Sequence, residues 1–285
     1  MKRITFLKYF IIGTFFAYLL IYAQNLFANK MVENRTTNDI NLPNDTAAKN
    51  LDIYLMIGQS NMSGRAIITA KEKDTLRDVY LFNGIDFERA STPMNKYSTV
   101  RKILSMQALN PSYSFGKELG ELSGKKIGLV VNARGDTRIE SWEKGYNGPN
   151  DFNLYENAVK QLKKAEKYGT LKAIIWHQGE ANSKAPEGYI PLLKKLVKDL
   201  RKDLGANVYF VAGEIGRWKK GSEKMNTIID EVPNEIKNTD CVNTKGLTPL
   251  RGDINNPHFD TRSQLILGQR YALKILDKIY HISLE

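Results

Sequence analysis

The sequence predicts an α/β fold in which a central, mostly parallel sheet lies between two layers of helices, a three-layer α/β/α sandwich. Short, nearly continuous apolar segments alternate along the chain with amphipathic segments of helical periodicity. This alternation is typical of parallel strands that are buried on both faces and joined by right-handed crossover helices. The composition agrees, because 42% hydrophobic and 26% charged residues are ordinary values for a globular domain.

The first residues of the chain precede this predicted fold. Lys2, Arg3 and Lys8 are followed by an apolar run over residues 9–23, which is typical of a secretory signal peptide. The run is shorter than the roughly 20 residues that a membrane-spanning helix needs. We therefore expect residues 1–28 to be a signal peptide or an uncleaved N-terminal anchor. Either one exports the rest of the chain to the periplasm or the extracellular space.

Residues 29–50 and 51–285 differ in composition and are predicted to have different roles. The first segment is polar and rich in Asn, Thr and Asp, with little apolar periodicity, so we expect it to be a linker. The second segment carries the alternating pattern and is predicted to form the single folded domain of the 285-residue chain.

Five strands and five helices are predicted within this domain. The strands are expected over residues 51–57, 78–82, 126–132, 171–176 and 207–212. The helices are expected over residues 112–122, 154–167, 189–204, 225–236 and 261–280. Ligands bind at the carboxyl ends of the strands in such sheets, so the residues that follow each strand are the candidates for function.

The net charge limits the classes of ligand that the sequence predicts, and the cysteine content limits the disulfides that it can form. A formal net charge of +11 favours an acidic polysaccharide or a sialylated glycan as a ligand, although lysines spread over helical segments are also typical of solvated helix faces. No arginine-rich cluster is interleaved with aromatic residues, so nucleic acid is not predicted as a partner. The single cysteine, Cys241, excludes an intramolecular disulfide.

The first predicted strand runs into the segment Gly-Gln-Ser-Asn-Met-Ser-Gly, residues 58–64. Ser60 follows the strand between two glycines, so its hydroxyl can be exposed on a tight turn and its N–H can point at a ligand. This placement suits a nucleophile whose own N–H helps to stabilise an oxyanion. An N-cap or turn role for Ser60 or Asn61 is the structural alternative.

Two more strand ends carry polar or small residues. Arg134 and Gly135 follow the strand over residues 126–132, and a glycine there allows the backbone to approach a ligand or simply forms a loop. The segment His-Gln-Gly-Glu, residues 177–180, follows the strand over residues 171–176. There a carboxylate can orient a histidine and an amide can donate to an oxyanion.

The chain has three histidines, and His258 is the best candidate for a general base. His281 lies at the C-terminus, and His177 belongs to the strand-end segment just described. His258 lies on a turn-like segment before the last predicted helix, from which it can reach the sheet edge near the first strand. A structural role for His258 is the alternative.

Taken together, these segments resemble the SGNH-hydrolase superfamily, in particular the branch of carbohydrate esterase family 6 and the sialate O-acetylesterases. Residues 58–64 resemble the nucleophile block, and Gly135 with Ile139 and Trp142 resembles the glycine block. The segment Trp-His-Gln-Gly-Glu-Ala, residues 176–181, resembles the second signature of this branch, and His258-Phe259-Asp260 resembles the histidine block. The four blocks occur in the expected order over most of residues 51–276, which implies a flavodoxin-like SGNH fold.

The resemblance implies a serine esterase that removes acetyl groups from a carbohydrate and needs no cofactor or metal. Ser60 is the implied nucleophile and His258 the base. The third member of the triad is implied to be Glu180, with Asp253 in reserve, because the superfamily's usual aspartate three residues before the histidine is replaced by Asn255.

The remaining site residues follow from the same resemblance. The implied oxyanion donors are the N–H groups of Ser60 and Gly135 and a side-chain amide, for which Gln178 is preferred to Asn61. Further residues are expected to shape the site or contact the substrate: Gln59, Asn61, Arg134, His177, Trp142 and Asp253.

The substrate stays open at this point between acetylated xylan, another acetylated plant polysaccharide and O-acetyl sialic acid, with a small preference for a plant polysaccharide. A membrane is expected as a partner only through an uncleaved N-terminal segment. A carbohydrate-binding protein without activity on the same fold is the alternative from another functional class, since a fold alone does not imply a function.

Overall fold

A computed structural model describes residues 49–149, 151–205 and 207–283 of the chain. The predicted signal peptide or anchor, and all but the last two residues of the predicted linker, lie outside the described residues. Among the helices that are described, none combines the length and the apolar character that crossing a membrane requires.

The described residues form a seven-stranded sheet in the order β3-β2-β4-β1-β5-β6-β7. The strands are β1 Leu51–Gly58, β2 Val79–Phe82, β3 Phe87–Arg89, β4 Ile127–Val131, β5 Gly169–His177, β6 Tyr209–Gly213 and β7 Thr239–Val242. All neighbouring pairs are parallel except β2 and β3, which form an antiparallel edge. The predicted mostly parallel sheet is thereby confirmed.

Strand β1 lies in the middle of the sheet and pairs with both β4 and β5. Its sequence, LDIYLMIG, is buried at every position except Asp52, which is partly exposed. A strand covered on both faces must be apolar throughout rather than alternating. This continuous burial explains why β1 occupies the centre of the fold and why its carboxyl end is enclosed by neighbouring loops.

Helices pack on both faces of the sheet and complete the three layers. They are α1 Ser60–Ser63, α2 Ser112–Ser123, α3 Leu154–Ala165, α4 Tyr189–Asp203, α5 Ser222–Asp230, α6 Val232–Glu235 and α7 Thr261–Tyr280. Helices α3, α4 and α5 contribute Leu162, Leu196 and Ile229 to the core on one face. Helices α2 and α7 contribute Leu119 and Tyr271 to the core on the other.

The predicted elements agree with the observed ones apart from two edge strands and the helix predicted over residues 225–236. Strands β3 and β7 were not predicted, because β3 has only three residues and β7 contains Thr239 and Asp240, which are half-buried. Strands at the edge of a sheet are often short and polar, so they carry little hydrophobic signal. The helix predicted over residues 225–236 is divided into α5 and α6, with Pro233 in the first turn of α6.

Candidate active site

A cavity of about 410 Å³ lies at the carboxyl ends of the central strands, where a parallel sheet is expected to bind its ligand. Ser60, His258, Glu180 and Gly135 all line this cavity, and Gln59 lies beside them. These residues come from four separate segments of the chain. The fold therefore brings together the nucleophile, base, carboxylate and glycine that the sequence analysis singled out.

Ser60 is placed at the cavity by the turn that ends β1. Gly58 has a φ of +139°, and a Cβ at this position would lie 2.1 Å from the carbonyl oxygen of His177 on the adjacent strand. Only glycine fits such a position. Helix α1 begins at Ser60, which is 7% exposed, and among the described residues neither its hydroxyl nor its N–H has a hydrogen-bond partner.

Gly135 approaches Ser60 from the loop after β4. The N–H of Arg134 donates to the carbonyl oxygen of Gly58 at 3.1 Å, which ties this loop to the turn that carries Ser60. A Cβ on residue 135 would lie 3.3 Å from Ser60 Cβ. The Gly135 N–H also donates to no acceptor in the described part of the chain, so two residues of the cavity wall, Ser60 and Gly135, each have a free N–H group.

His258 lies on the loop between the 3₁₀ helix Leu250–Gly252 and α7. Its carbonyl oxygen accepts from Leu250 N–H at 2.8 Å and its own N–H donates to Asn256 Oδ1 at 3.0 Å. The indole of Trp218 donates to the carbonyl oxygen of Asn256 at 2.8 Å. These bonds fix the backbone of the loop, so the imidazole is presented to the cavity from a defined position.

The surroundings of His258 lower the pKa of its imidazole below the ordinary 6.5. Burial is the main cause, because it disfavours the charged form. The positive charges of Arg65 and Lys219 act in the same direction, while the negative charge of Glu180 offsets part of the shift. The imidazole is thus kept neutral at neutral pH, which is the form that accepts a proton.

Glu180 follows β5, in the 3₁₀ helix Glu180–Asn182, and its side chain is 9% exposed. Oε1 accepts a hydrogen bond of 2.5 Å from Asn61 Nδ2 and lies 3.7 Å from His177 Nε2. Burial opposes its ionisation, but these contacts with His177 and Asn61 outweigh burial, and the pKa of Glu180 stays below its ordinary value. Its buried Oε2 has no donor within the described residues.

Asn61 connects the nucleophile segment to the histidine loop. Besides its bond to Glu180, its Nδ2 donates to the carbonyl oxygen of Pro257 at 3.1 Å, and its Oδ1 accepts from Phe259 N–H at 3.2 Å. Gln264 Nε2 donates to the same Oδ1 at 3.1 Å. The fully buried Asn61 therefore holds the residues on both sides of His258 and the carboxylate at once.

Gln178 does not reach the cavity, in contrast to the oxyanion role expected for it. It is fully buried, and its Nε2 lies within 3.0 Å of three acceptors, namely Gln59 Oε1, Thr137 O and Asn182 Oδ1. Because Nε2 carries only two hydrogens, no donor of this amide is left for a substrate. Gln178 instead holds Gln59, which lines the cavity beside the nucleophile.

Three further residues of the predicted site, Trp142, Arg134 and His177, also support the cavity from outside. Trp142 is fully buried and packs edge-to-face on Trp176 at 5.2 Å, so of the two roles expected for it, shaping the site or contacting the substrate, its position fits the first. Arg134 places its guanidinium over the Phe152 ring, 3.4 Å from its centroid, and donates to the backbone of Val100.

His177 is fully buried below the cavity. Its Nδ1 lies 3.0 Å from the Tyr271 hydroxyl, and its Nε2 faces Glu180. His177 therefore contacts the Glu180 carboxylate without lining the cavity.

Asp253, the reserve for the third member of the triad, is exposed and does not line the cavity. Its Oδ1 accepts from Asn255 N–H at 2.9 Å, and its carbonyl oxygen accepts from Asn256 N–H at 2.9 Å. These bonds give Asp253 a role in closing its own turn. Of the two carboxylates, Glu180 is the one that lies in the cavity with His258.

Basic residues around the cavity were missed by the sequence analysis. Arg65, Lys102, Lys184, Lys219 and Lys220 line it, whereas Asp136 and Glu180 are the acidic residues in its wall. In the sequence these residues are scattered over four segments with no common motif. The signal for Arg65 was its position directly after the nucleophile segment.

The arrangement brings a hydroxyl, a neutral imidazole and a buried carboxylate to one cavity that also holds two free N–H groups. Such a set is suited to acyl transfer through a serine. No group of three or more histidine, cysteine, aspartate or glutamate side chains is placed to hold a metal ion within the described residues.

Comparison with known proteins identifies the family of the chain. A family model described as "Carbohydrate esterase, sialic acid-specific acetylesterase" matches residues 50–277. A probable carbohydrate esterase of Arabidopsis thaliana is 29% identical over 244 residues, which cover 77% of this chain and 88% of that protein.

Two solved structures share the fold. The X-ray structure of an Arabidopsis thaliana protein superposes with a TM-score of 0.68 at 25% identity, covering 80% of this chain and 99% of that one. A carbohydrate acetylesterase from Xanthomonas citri superposes with a TM-score of 0.61 at 19% identity, covering 82% of this chain and 57% of that one. Because the family model spans most of its length, the chain belongs to the family of carbohydrate esterases of the sialic acid-specific acetylesterase type.

Proposed function

We propose that this carbohydrate esterase is an O-acetylesterase that hydrolyses acetyl esters on a polysaccharide or glycan through an acyl-enzyme on Ser60. The observation that carries the proposal is the meeting of Ser60, His258 and Glu180 in one cavity. The membership of the chain in a carbohydrate esterase family supports the substrate class.

In the proposed mechanism, Ser60 Oγ attacks the acetyl carbonyl carbon while His258 takes the hydroxyl proton. The free N–H groups of Ser60 and Gly135 donate to the oxyanion that forms. The tetrahedral intermediate then collapses, and the sugar alkoxide leaves with the proton from His258. Water, deprotonated by the same imidazole, releases acetate from Ser60 and restores the enzyme.

Glu180 is proposed to orient His258 and to stabilise its imidazolium. The carboxylate is buried and ionised, its Oε1 is held by Asn61, and its Oε2 has no donor among the described residues. A buried oxygen with no donor is costly, and a hydrogen bond from His258 would satisfy it. Hydrogen bonds between catalytic groups are often long without substrate and shorten when substrate is bound.

A sialate O-acetylesterase is the second candidate, and the charge of the cavity favours it. Lys102, Lys184, Lys219 and Lys220 line the wall and are exposed, and within the described residues only Lys102 of these four has an acidic partner, Asp136 at 3.4 Å. A cavity with an excess of positive charge attracts a substrate that carries a carboxylate. An acetylated neutral polysaccharide would gain nothing from this excess.

Acetate release from acetylated xylan and from O-acetyl sialic acid tests the proposal, with Ser60→Ala in parallel. We expect release from at least one substrate and its loss in Ser60→Ala, because the nucleophile is removed. If O-acetyl sialic acid is the substrate, its KM should rise with ionic strength as the lysines are screened. Release that is unchanged in Ser60→Ala would overturn the assignment of the nucleophile.

A further inference from the structure

Neither of the two side-chain amides expected from the sequence as oxyanion donors, Gln178 or Asn61, is free to donate to a substrate. Gln178 is engaged with three acceptors, and the Asn61 amide donates to Glu180 and Pro257. Two backbone donors, on Ser60 and Gly135, remain at the cavity. A third donor, if the site has one, must come from another side chain that lines the cavity close to these two.

Arg65 places a guanidinium at this point. A Cβ on Gly135 would lie 2.5 Å from Arg65 Nη2 and 3.3 Å from Ser60 Cβ, so the guanidinium and the nucleophile flank the same small space. Arg65 lines the cavity and is half-buried. A side chain at position 135 would require the Arg65 guanidinium to move, because Nη2 occupies the space that a Cβ would need.

The two terminal nitrogens of Arg65 are used differently. Nη1, which carries two hydrogens, lies within hydrogen-bond distance of three acceptors: Ser63 Oγ at 2.9 Å, the carbonyl oxygen of Gly64 at 2.5 Å and that of Met106 at 3.1 Å. In the described part of the chain, Nη2 has no acceptor and no carboxylate pairs with the guanidinium. One nitrogen therefore fixes the side chain, and the other is left free to donate into the cavity.

The electrostatic effect of Arg65 on the base is consistent with this position. The positive charge of Arg65 helps to keep the pKa of His258 low, after burial as the main cause. Burial also lowers the pKa of Arg65 itself from 12.5, and a guanidinium stays protonated throughout the working range of an esterase. A permanent charge thus faces both the nucleophile and the base.

We propose that Arg65 is a catalytic residue whose Nη2 donates the third hydrogen bond to the oxyanion, beside the N–H groups of Ser60 and Gly135. The inference rests on the proposed Ser60 mechanism. When Ser60 Oγ bonds to the carbonyl carbon, the π-electron pair moves to the carbonyl oxygen. Arg65 stabilises that negative charge and keeps its own proton, while the hydroxyl proton goes to His258.

The variants Arg65→Met and Arg65→Lys test this role with an uncharged aryl acetate as substrate. If Arg65 only bound anionic sugars, its replacement would not change the rate at which this ester is hydrolysed. We expect Arg65→Met to lower kcat by about 10²–10³-fold, the typical effect of losing one oxyanion donor, with KM changed little. Arg65→Lys keeps the charge without the fork of two nitrogens, and we expect an intermediate kcat. Arg262 is exposed and does not line the cavity, so Arg262→Met is the matched control and should keep the wild-type kcat.

Two further measurements separate catalysis from structure. A boronic acid forms a tetrahedral anionic adduct with a serine, so its affinity for Arg65→Met should fall by the same factor as kcat/KM. The acid limb of the pH profile should move to higher pH in Arg65→Met and stay near its wild-type position in Arg65→Lys. A structural defect alone would not make these two shifts agree with the loss of kcat.

The outcomes distinguish this inference from the proposed function. A wild-type kcat in Arg65→Met, or a lower kcat with unchanged boronic acid affinity, would overturn the role of Arg65 while Ser60→Ala still abolishes hydrolysis. If Ser60→Ala hydrolyses the aryl acetate as well as the wild type, the proposed function itself fails.

Discussion

Asn61→Ala is expected to destabilise the protein by about 3–5 kcal/mol. The side chain makes four buried or partly buried hydrogen bonds, to Glu180, Pro257, Phe259 and Gln264. A neutral hydrogen bond contributes about 0.5–1.5 kcal/mol and one to a charged group about 1.5–3 kcal/mol. The four contributions together come to about 3–7.5 kcal/mol, and we expect a loss in the lower half of that range because the bonds to Glu180 and Pro257 are only partly buried. Alanine would leave the Glu180 carboxylate and two backbone groups without their partner.

Denaturant and thermal unfolding measure this effect directly. For a domain of this size each kcal/mol shifts Tm by about 2–4 °C, so a decrease on the order of 10 °C is expected. Asn234→Ala is the matched control: Asn234 is exposed and donates to the exposed Glu231, and its loss should change the free energy of unfolding by less than about 0.5 kcal/mol. A loss below about 1 kcal/mol in Asn61→Ala would refute the argument that this amide joins the two segments.

Three further predictions concern the chemistry. The acid limb of kcat/KM should lie below pH 6.5, because burial lowers the pKa of His258 from that value and the base must be neutral; a limb at or above pH 6.5 would contradict the electrostatics described. Gly135→Ala should stay folded but lose at least about tenfold in kcat, since its Cβ would lie 2.5 Å from Arg65 Nη2; normal steady-state kinetics would show that this space is not needed. Glu180→Gln should lower kcat by about 10²-fold or more because the imidazolium loses its buried carboxylate, whereas Asp253→Asn should leave kcat unchanged; the opposite result would give the third position to Asp253.

Much of the fold could be predicted because its central strands contain long, nearly continuous apolar runs. Strands β1 and β5 can be predicted from their own hydrophobicity, without knowledge of the rest of the chain, because an apolar run such as LDIYLMIG is typical of a strand that is buried on both faces. The edge strands were missed for the opposite reason, since Thr239 and Asp240 in β7 remain partly exposed. Local hydrophobicity therefore predicts the middle of such a sheet better than its edges.

Part of the candidate site could be predicted because its position follows from the order of the strands. Ser60, Gly135 and Glu180 follow strands, and the carboxyl ends of parallel strands converge, so their meeting followed from the topology. The direction in which a side chain points does not follow from topology. Gln178 turns into a buried network and Arg65 turns toward Gly135, and both results depend on tertiary hydrogen bonds between distant segments.

The distance along the chain between Asn61 and its partners has a consequence for when activity is acquired. Asn61 and Phe259 are 198 residues apart, so a long segment of chain is synthesised between Ser60, the proposed nucleophile, and His258, the proposed base. A nascent chain that stops short of residue 258 holds Ser60 without His258 and cannot complete the bonds that Asn61 makes to Pro257, Phe259 and Gln264. Under the proposed mechanism, hydrolytic activity therefore requires complete folding, and a partly synthesised or partly unfolded chain does not hydrolyse esters.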